Sequence, residues 1–507
     1  MSLRPSVLLV ADRTLSAGYK VLFEGIFATM QTTKVPGALM RRVLSPPAGV
    51  DADGRALTAP LGLRRVEAAL LAAGLSSDEV VVTTPEALPR LLGPHVRLVG
   101  VSSSDPLGRG MSNTTTSRFW SGRLYTAEWT ERLMGLLAEA RRQFGFRVVF
   151  GGAGAWQYAQ DMDQARRHGI DTVFEGYFER QGPALVAELL TRREAPPHVV
   201  EGGICVDAVR PIARASGMGV IELSRGCGNG CRFCLMAGRA MAHLPEDLIL
   251  ADAATNARSG VASLVSSSED FFRYGAAGRR VNFDALQSLL ERLRQIEGLS
   301  FMQIDHANIS SVLQLEPAQL AELRRLLSWR APTRYLWVNL GVESANGRLV
   351  AANAPGKIAP FDPDDWEELV LDSARRLTQA GFFPTYSLIL GLPGETPDDV
   401  RRTIALVQRL AQSPVVVFPV FHEPVRADAR AAGEAFTLEK MTPAHLELYR
   451  LCYELNFRQV PRLFWDNQRA GGVGWAKRAF LQVLGWGEIV TWRRNFRRVQ
   501  RRLAARK

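Results

Sequence analysis

The sequence predicts an α/β protein in three parts: a doubly wound Rossmann-like domain, a partial (β/α)6 barrel and a helical C-terminal region. Three observations predict it. Two long stretches alternate short β-rich apolar runs with amphipathic helical patterns, the mark of parallel βα layering. A Pro- and Gly-rich segment separates them. From residue 426 onward the pattern is helical throughout and rich in Trp and Arg.

The first part spans 1–195. "SVLLVAD" (6–12), "EVVVT" (79–83), "VRLVGVSSS" (96–104), "RVVFGG" (147–152) and "DTVFEG" (171–176) read as buried parallel strands. Between them, "GLRRVEAALLAAG" (62–74) and "EWTERLMGLLAEARRQFG" (128–145) carry the i, i+3, i+4 apolar spacing of helices packed on a sheet. Residues 196–218 read as a linker, with "EGG" and "ASGMG". The barrel spans 219–425. Its strand-like runs are "GVIELSR" (219–225), "GVASLVSSSED" (260–270), "LSFMQIDHANIS" (299–310), "RYLWVNLGVES" (334–344), "FFPTYSLILGLPGET" (382–396) and "VVVFPVF" (415–421). Six such units predict a partial barrel instead of a full eightfold one.

Composition narrows the class. Hydrophobic residues make up 47% and charged residues 22%, which fits folded domains and excludes a disordered chain. Five cysteines, three of them clustered, are not a disulfide framework and suit a reducing compartment. The opening apolar run is too short for a secretion signal, and no uncharged stretch approaches the roughly 18 residues that span a bilayer. A cytoplasmic protein is expected, with peripheral membrane contact left open. The net charge is +11, but residues 491–507 hold eight Lys/Arg and no acid, and removing these leaves +3. The basic character belongs to one segment, so nucleic acid is not the expected partner.

The chemistry concentrates in "ELSRGCGNGCRFCLMAG" (222–238), where Cys227, Cys231 and Cys234 form C-x3-C-x2-C. A structural zinc site takes four ligands, and His243 is the one nearby candidate for the fourth. A redox C-x-x-C leaves Cys227 unexplained. Three thiolates on a loop also suit a [4Fe–4S] cluster with one iron left open. The loop follows a buried strand, at the barrel end where such folds keep their chemistry. Gly226, Gly228 and Gly230 let backbone wrap close to a bulky group.

A strand followed by CxxxCxxC, with Phe233 before the last cysteine, resembles the radical S-adenosylmethionine (SAM) superfamily over about 219–425. Ordered later motifs strengthen the likeness. The resemblance implies that "SSSED" (266–270), through Ser268 and Glu269, meets the methionyl amine of SAM. It implies that Glu343 and Ser344 of "GVES" meet the ribose and carboxylate, and that "GLPGET" (391–396) lies near the adenine. The implied cofactors are a [4Fe–4S] cluster and SAM, whose reductive cleavage yields a radical able to take hydrogen from unactivated carbon. An electron donor such as a flavodoxin or ferredoxin is implied as partner.

For the N-terminal part a dinucleotide site has little support. "GGAGAW" (151–156) comes late and has Gln157 where a third glycine belongs. An α/β domain ahead of such a barrel resembles instead the cobalamin-binding subgroup, many of whose members are methyltransferases. That resemblance places corrin contacts in "VSSSDPLGRG" (101–110), at Ser103 and Asp105, and in "VFGGAGAWQ" (149–157), at Gly151, Gly152 and Gly154. The subgroup's D-x-H-x-x-G motif is absent: "DRTLSAG" has Thr14 where the histidine belongs. The implied function is cobalamin-dependent C-methylation. The alternative is radical chemistry without methyl transfer, the N-terminal domain serving only as scaffold.

Asp305 and His306 end the third barrel strand. They are candidate catalytic residues or substrate contacts, with a structural role for the histidine equally open. Tyr386 and His422 hold comparable places with weaker claims, while Cys205 and Cys452 read as structural. At the C-terminus Ile489, Trp492, Phe496, Val499 and Leu503 recur at helical spacing among arginines. This helix either packs on the barrel or lies on an anionic membrane surface, which would suit a lipid-like substrate; a small-molecule substrate is the other expectation.

Overall fold

The computed structural model describes residues 3–191, 199–236, 238–329 and 333–505. They form two compact units. The first comprises Met1–Ser117, Ser121–Ile221 and Leu244–Ala262; the second comprises Arg118–Trp120, Glu222–His243 and Ser263–Lys507.

The first unit is built on six parallel strands: β1 (Val7–Ala11), β2 (Val80–Thr83), β3 (Leu98–Ser102), β4 (Arg147–Gly151), β5 (Thr172–Gly176) and β6 (Val199–Gly202). Their order is β2-β1-β3-β4-β5-β6. The period of two along β1 explains the uninterrupted apolar run. Leu8 and Val10 pack with Leu133, Met134 and Leu137 of helix Tyr125–Phe144. Val7 and Leu9 face the other way, toward Leu63 and Leu70 of helix Leu61–Ala72. Helices on both faces make the sheet doubly wound. Its order reverses between β1 and β3, which opens a crevice at their carboxyl ends.

Strand β6 lies within the stretch read as linker. Its two valines are too short a run to stand out, and it exists because Val173 through Gly176 offer an open edge to Val199 through Gly202. The rest of that stretch also packs into the first unit. Arg64 Nε donates to Ala215 O at 3.0 Å, the Ile212 N–H donates to Asp252 Oδ1 at 2.9 Å, and Arg65 pairs with Asp252. Asp252 belongs to helix Glu246–Arg258, which sequence assigns to the barrel and which clusters here with the first unit.

The barrel is made of β7 (Val220–Glu222), β10 (Ser263–Ser267), β11 (Phe301–Gln303), β12 (His306–Ala307), β13 (Leu336–Glu343), β14 (Phe382–Leu390) and β15 (Val416–Phe421). A small antiparallel pair, β8 (Ser224–Arg225) and β9 (Ala242–His243), brackets the cysteine loop. The third predicted strand is broken at Ile304 and Asp305 into β11 and β12. The wall is therefore two sheets, β11-β10-β7 and β12-β13-β14-β15. Counting the broken strand once gives the six βα units that the sequence predicts.

Helices Pro443–Ala470 and Trp475–Ala504 complete the second unit. Trp492 and Phe496 are buried in an aromatic cluster: Phe119 stacks on Tyr449 at 4.5 Å, Tyr449 on Tyr453 at 4.9 Å, and Tyr453 meets Trp492 at 4.5 Å. Val499 and Leu503 are buried too, while Ile489 is half-buried. The apolar face from Trp492 to Leu503 is thus internal. Arg493 pairs with Glu454, and Arg498 donates to Phe119 O at 2.6 Å. Among the described residues no helix is long and apolar enough to cross a membrane.

Candidate active site

The cysteine loop is rooted in a buried ion pair. Arg225 Nε and Nη2 donate to the two Glu222 oxygens, each at 2.9 Å, a two-pronged contact that holds the strand end rigid. Beyond it Gly226, Gly228 and Gly230 all take left-handed backbone, at φ 74, 68 and 66, while Cys227 and Asn229 between them do not. The Cys227 and Gly228 N–H groups both donate to Arg239 O, at 3.0 and 2.8 Å, which closes the loop on itself. The Asn229 N–H acts on the Cys227 sulfur and the Met236 N–H on that of Cys234.

The loop's outer side is tied down. Arg273 Nη1 donates to Cys227 O at 3.1 Å, and Arg279 donates to Gly228 O at 3.0 Å and to Asn229 Oδ1 at 2.9 Å. The Gly356 N–H donates to Asn229 O, and the Arg232 N–H to Asn353 O, both at 2.8 Å. Cys231 packs with Ala354, Phe233 and Cys234 in a small apolar group. Segment 353–357 is therefore the loop's main support. It also reaches the "GLPGET" turn, where Asn353 Nδ2 donates to Pro393 O at 3.0 Å.

Burial pushes the Cys231 thiol up to about 12 and the Cys234 thiol up to about 11, and raises Cys227 as well. The Lys357 ammonium pulls all three the other way. Thiols in this range are protonated at neutral pH, so iron must displace three protons on binding. The donor set suits a cluster better than zinc. A structural zinc takes four ligands, and the loop brings three thiols. A cluster takes each thiol on a different iron. His243, the candidate fourth zinc ligand, has its Nε2 at 3.1 Å from Ala276 O and its ring edge-on to Tyr274.

Glu343 ends β13 with φ 66, left-handed backbone that only one other described non-glycine residue adopts. Such strain concentrates at functional positions. The register with β14 shifts between Gly341 and Glu343, which turns the carboxylate toward Lys357, and the two form a buried ion pair. A Cβ on Gly341 would overlap both partners. Ser344, expected beside SAM, is buried with its hydroxyl 3.4 Å from Thr403 Oγ1 and accepting from the Asn346 N–H. Ser268 bonds Ser224 across the strand ends and accepts from the Asp270 N–H. Asp270 itself is structural, accepting from Asn308 and Ser311.

Glu269, Asp305 and His306 meet at the carboxyl ends of β10 and the broken third strand. The His306 side chain is 53% accessible and lies within reach of the Asp305 and Glu269 carboxylates. Asp305 Oδ2 lies 3.0 Å from His306 Nδ1, and its charge raises the imidazole to about 9 against the opposing effect of burial. Burial raises the Glu269 carboxyl, and His306 opposes it. The imidazole value exceeds the ordinary one of about 6.5, so this proton's stabilising contribution is complete below pH about 6.5 and is lost as pH rises through about 9. Asp305→Asn is expected to move the His306 titration midpoint down toward 6.5 by NMR; a midpoint still at 9 would refute the pairing.

In the first unit Ser103 is buried at the switch point, accepting from Thr130 Oγ1 at 3.1 Å. Asp105 is saturated, accepting from the N–H groups of Arg109 and Gly110 and from Asn113 and Gln157. Its carboxylate shapes its own loop. Gly151 stands at the end of β4 with only Phe174 O near its Cβ direction. Cβ atoms on Gly152 and Gly154 would meet Ser102, Ser103 and Pro106, so these glycines make room for the neighbouring loop. Asp12, beyond β1, is buried and pushed up to about 6. Thr14 donates to Asp12 Oδ1, and Oδ2 finds no hydrogen-bond partner.

Lys357, Arg273 and Arg279 are the residues that sequence reasoning missed. A lone lysine ending the turn "NAPGK" (353–357) was the available signal for the first; nothing local marks the arginines.

A βα barrel with three thiols on the loop after its first strand, glycines in left-handed backbone beside them and a strained glutamate at the end of β13 suits an iron–sulfur site. Residues 221–407 match the family model described as the Radical SAM superfamily. The match covers the barrel part of the chain and leaves the six-stranded sheet of the first unit outside it. The ribosomal protein uS12 methylthiotransferase RimO of Anaeromyxobacter sp. (strain Fw109-5) is 26% identical over 195 residues, 37% of each chain. The tRNA-2-methylthio-N(6)-dimethylallyladenosine synthase of Moorella thermoacetica is 25% identical over 277 residues, 53% of this chain and 56% of that protein. The chain thus spans between about a third and just over half of these relatives. In fold it is similar to the radical S-adenosylmethionine methyltransferase TsrM from Kitasatospora setae, solved with cobalamin and a [4Fe–4S] cluster bound. That likeness has a TM-score of 0.53 at 16% identity and covers 82% of this chain and 75% of that one.

Proposed function

We propose that this chain is a cobalamin-dependent radical SAM methyltransferase that methylates carbon in a small molecule. The observation that carries the reading is the fold likeness to TsrM, which extends over both units and not the barrel alone. When bound, the cluster and SAM supply radical chemistry at carbon, and the corrin supplies a transferable methyl group. Cys227, Cys231 and Cys234 hold the cluster. Glu343, Glu269 and Ser268 orient SAM at the barrel mouth, with Phe233 packed beside the thiols; Ser344 contributes by capping the turn that presents Glu343. His306, held through Nδ1 by Asp305, can keep or release a proton at the barrel mouth. The corrin would lie at the carboxyl ends of β1 and β3. Ser103 and Asp12, both buried, stand beneath that end of the sheet. Asp105, Gly152 and Gly154 shape the adjoining loops, and Gly151 leaves open space.

A methylthio transfer, the activity in the relatives' names, must also deliver a sulfur atom. The remaining cysteines, Cys205 and Cys452, are buried in different units. They form no second thiol set, which favours methyl transfer.

A second reading has one observation behind it: protein already fills the space beside Gly152 and Gly154, as suits a scaffold that holds no corrin. The test uses protein reconstituted anaerobically with iron, sulfide and cobalamin. About four irons and one tightly held corrin per chain are expected, with S-adenosylhomocysteine formed alongside 5′-deoxyadenosine once a substrate is found. Four irons without corrin, and 5′-deoxyadenosine alone, would establish the second reading.

A further inference from the structure

We propose that the buried Lys357–Glu343 pair tunes the reduction potential of the cluster, with the ammonium of Lys357 making the cluster easier to reduce. The inference rests on the cysteine loop holding a [4Fe–4S] cluster. It concerns a residue outside every motif that identifies the domain.

Packing alone gives no reason for the pair. Burying two charges costs several kcal/mol per ion, and apolar residues of the same volume often do as well or better. The chain nevertheless accommodates it three times over. Gly341 leaves the space that both partners occupy. Glu343 accepts left-handed backbone to point its carboxylate at the lysine. Lys357 ends the segment that is bonded to the cysteine loop through Asn353 O and the Gly356 N–H, and that lies against Gly230 through Pro355. The ammonium is thereby carried to the cluster's side on the same short stretch of backbone that supports the loop.

Reduction adds one electron to the cluster, with no bond made or broken, and the electron comes from an external one-electron donor. A fixed positive charge nearby stabilises the more negative state, and low surrounding polarity keeps the effect from being screened away. Glu343 works in the opposite sense, so the balance depends on which charge stands closer. Lys357 stands on the segment that packs Ala354 against Cys231 and bonds Asn229 and Arg232, whereas Glu343 comes from the end of β13. The net field of the pair therefore favours the reduced cluster.

The experiment is a dithionite titration of the full chain, reconstituted anaerobically and followed by EPR without SAM. Lys357→Met is expected to lower the reduction equilibrium constant at least tenfold, about 59 mV for a one-electron couple. Glu343→Gln is expected to raise it, and Lys357→Arg to stay within threefold of the parent. Opposite signs for the two single variants are the signature, since a merely structural pair loses the same support from either side. Shifts in the same direction, or no shift at full iron content, overturn the proposal. If Lys357→Met does not hold iron, the double variant Glu343→Gln/Lys357→Met decides, because it leaves no unpaired charge. It is expected below the parent; a value equal or higher overturns the proposal. A parent chain that takes up no cluster fails the cluster reading itself, a result that iron content separates from the others.

Discussion

Cys231→Ala is expected to yield a folded protein without a cluster: iron falls from about four per chain to below one, and SAM cleavage is lost. Cys231 is buried, and its side chain touches Ala354, Phe233 and Cys234. Removing its sulfur forfeits about 1 kcal/mol of burial, too little to unfold a unit of this size. The loop's conformation depends on Gly226, Gly228, Gly230 and the arginine contacts, none of which the substitution touches. Iron and sulfide analysis, with far-ultraviolet circular dichroism as the check on folding, reads the result. Cys452→Ala is the matched control. That cysteine is buried in helix Pro443–Ala470, away from the loop, and its loss should leave iron content unchanged.

Gly341→Ala is expected to destabilise the second unit by about 1 kcal/mol and to reduce SAM cleavage. Gly341 does not sit in left-handed backbone, so alanine is allowed there conformationally and the cost is one of space. Its Cβ would overlap Glu343 Oε1 and Lys357 Nζ, so the pair must shift from its present position. Both atoms end flexible side chains, so the cost is that of re-seating the pair and not of losing a partner. Denaturant unfolding measures the loss. The same substitution made in the Glu343→Gln/Lys357→Met background should cost less, since no pair remains to be re-seated. Equal costs in the two backgrounds would show that Gly341 matters for some other contact.

Much of this was legible in the sequence, because it is local. The parallel strands show as continuous apolar runs, since both faces of each sheet are covered. The cysteine loop shows as residue types at fixed spacing, because a cluster needs its thiols on one short stretch of backbone. Alternating glycines announce left-handed turns that no side chain takes cheaply, and all three adopt them. The six barrel units follow from counting runs, although the break at Ile304 and Asp305 does not show in an apolar pattern that continues through it.

What the sequence alone determined is which chemistry the chain can carry and on which loop. Only the tertiary structure decided which groups surround that loop. Lys357 reaches Glu343 across fourteen residues, and Arg279 reaches Asn229 across fifty. Neither distance leaves a periodic trace. Ser344 reads from the sequence as a neighbour of Glu343, and the structure adds that its hydroxyl accepts from the Asn346 N–H. The apolar face at Trp492 and Phe496 fits a membrane as well as a core until Phe119, Tyr449 and Tyr453 are seen against it. Propensity and spacing act between neighbours in the chain. Burial, charge pairing and the choice of which face is covered act between neighbours in space, and they appear only when the chain has folded.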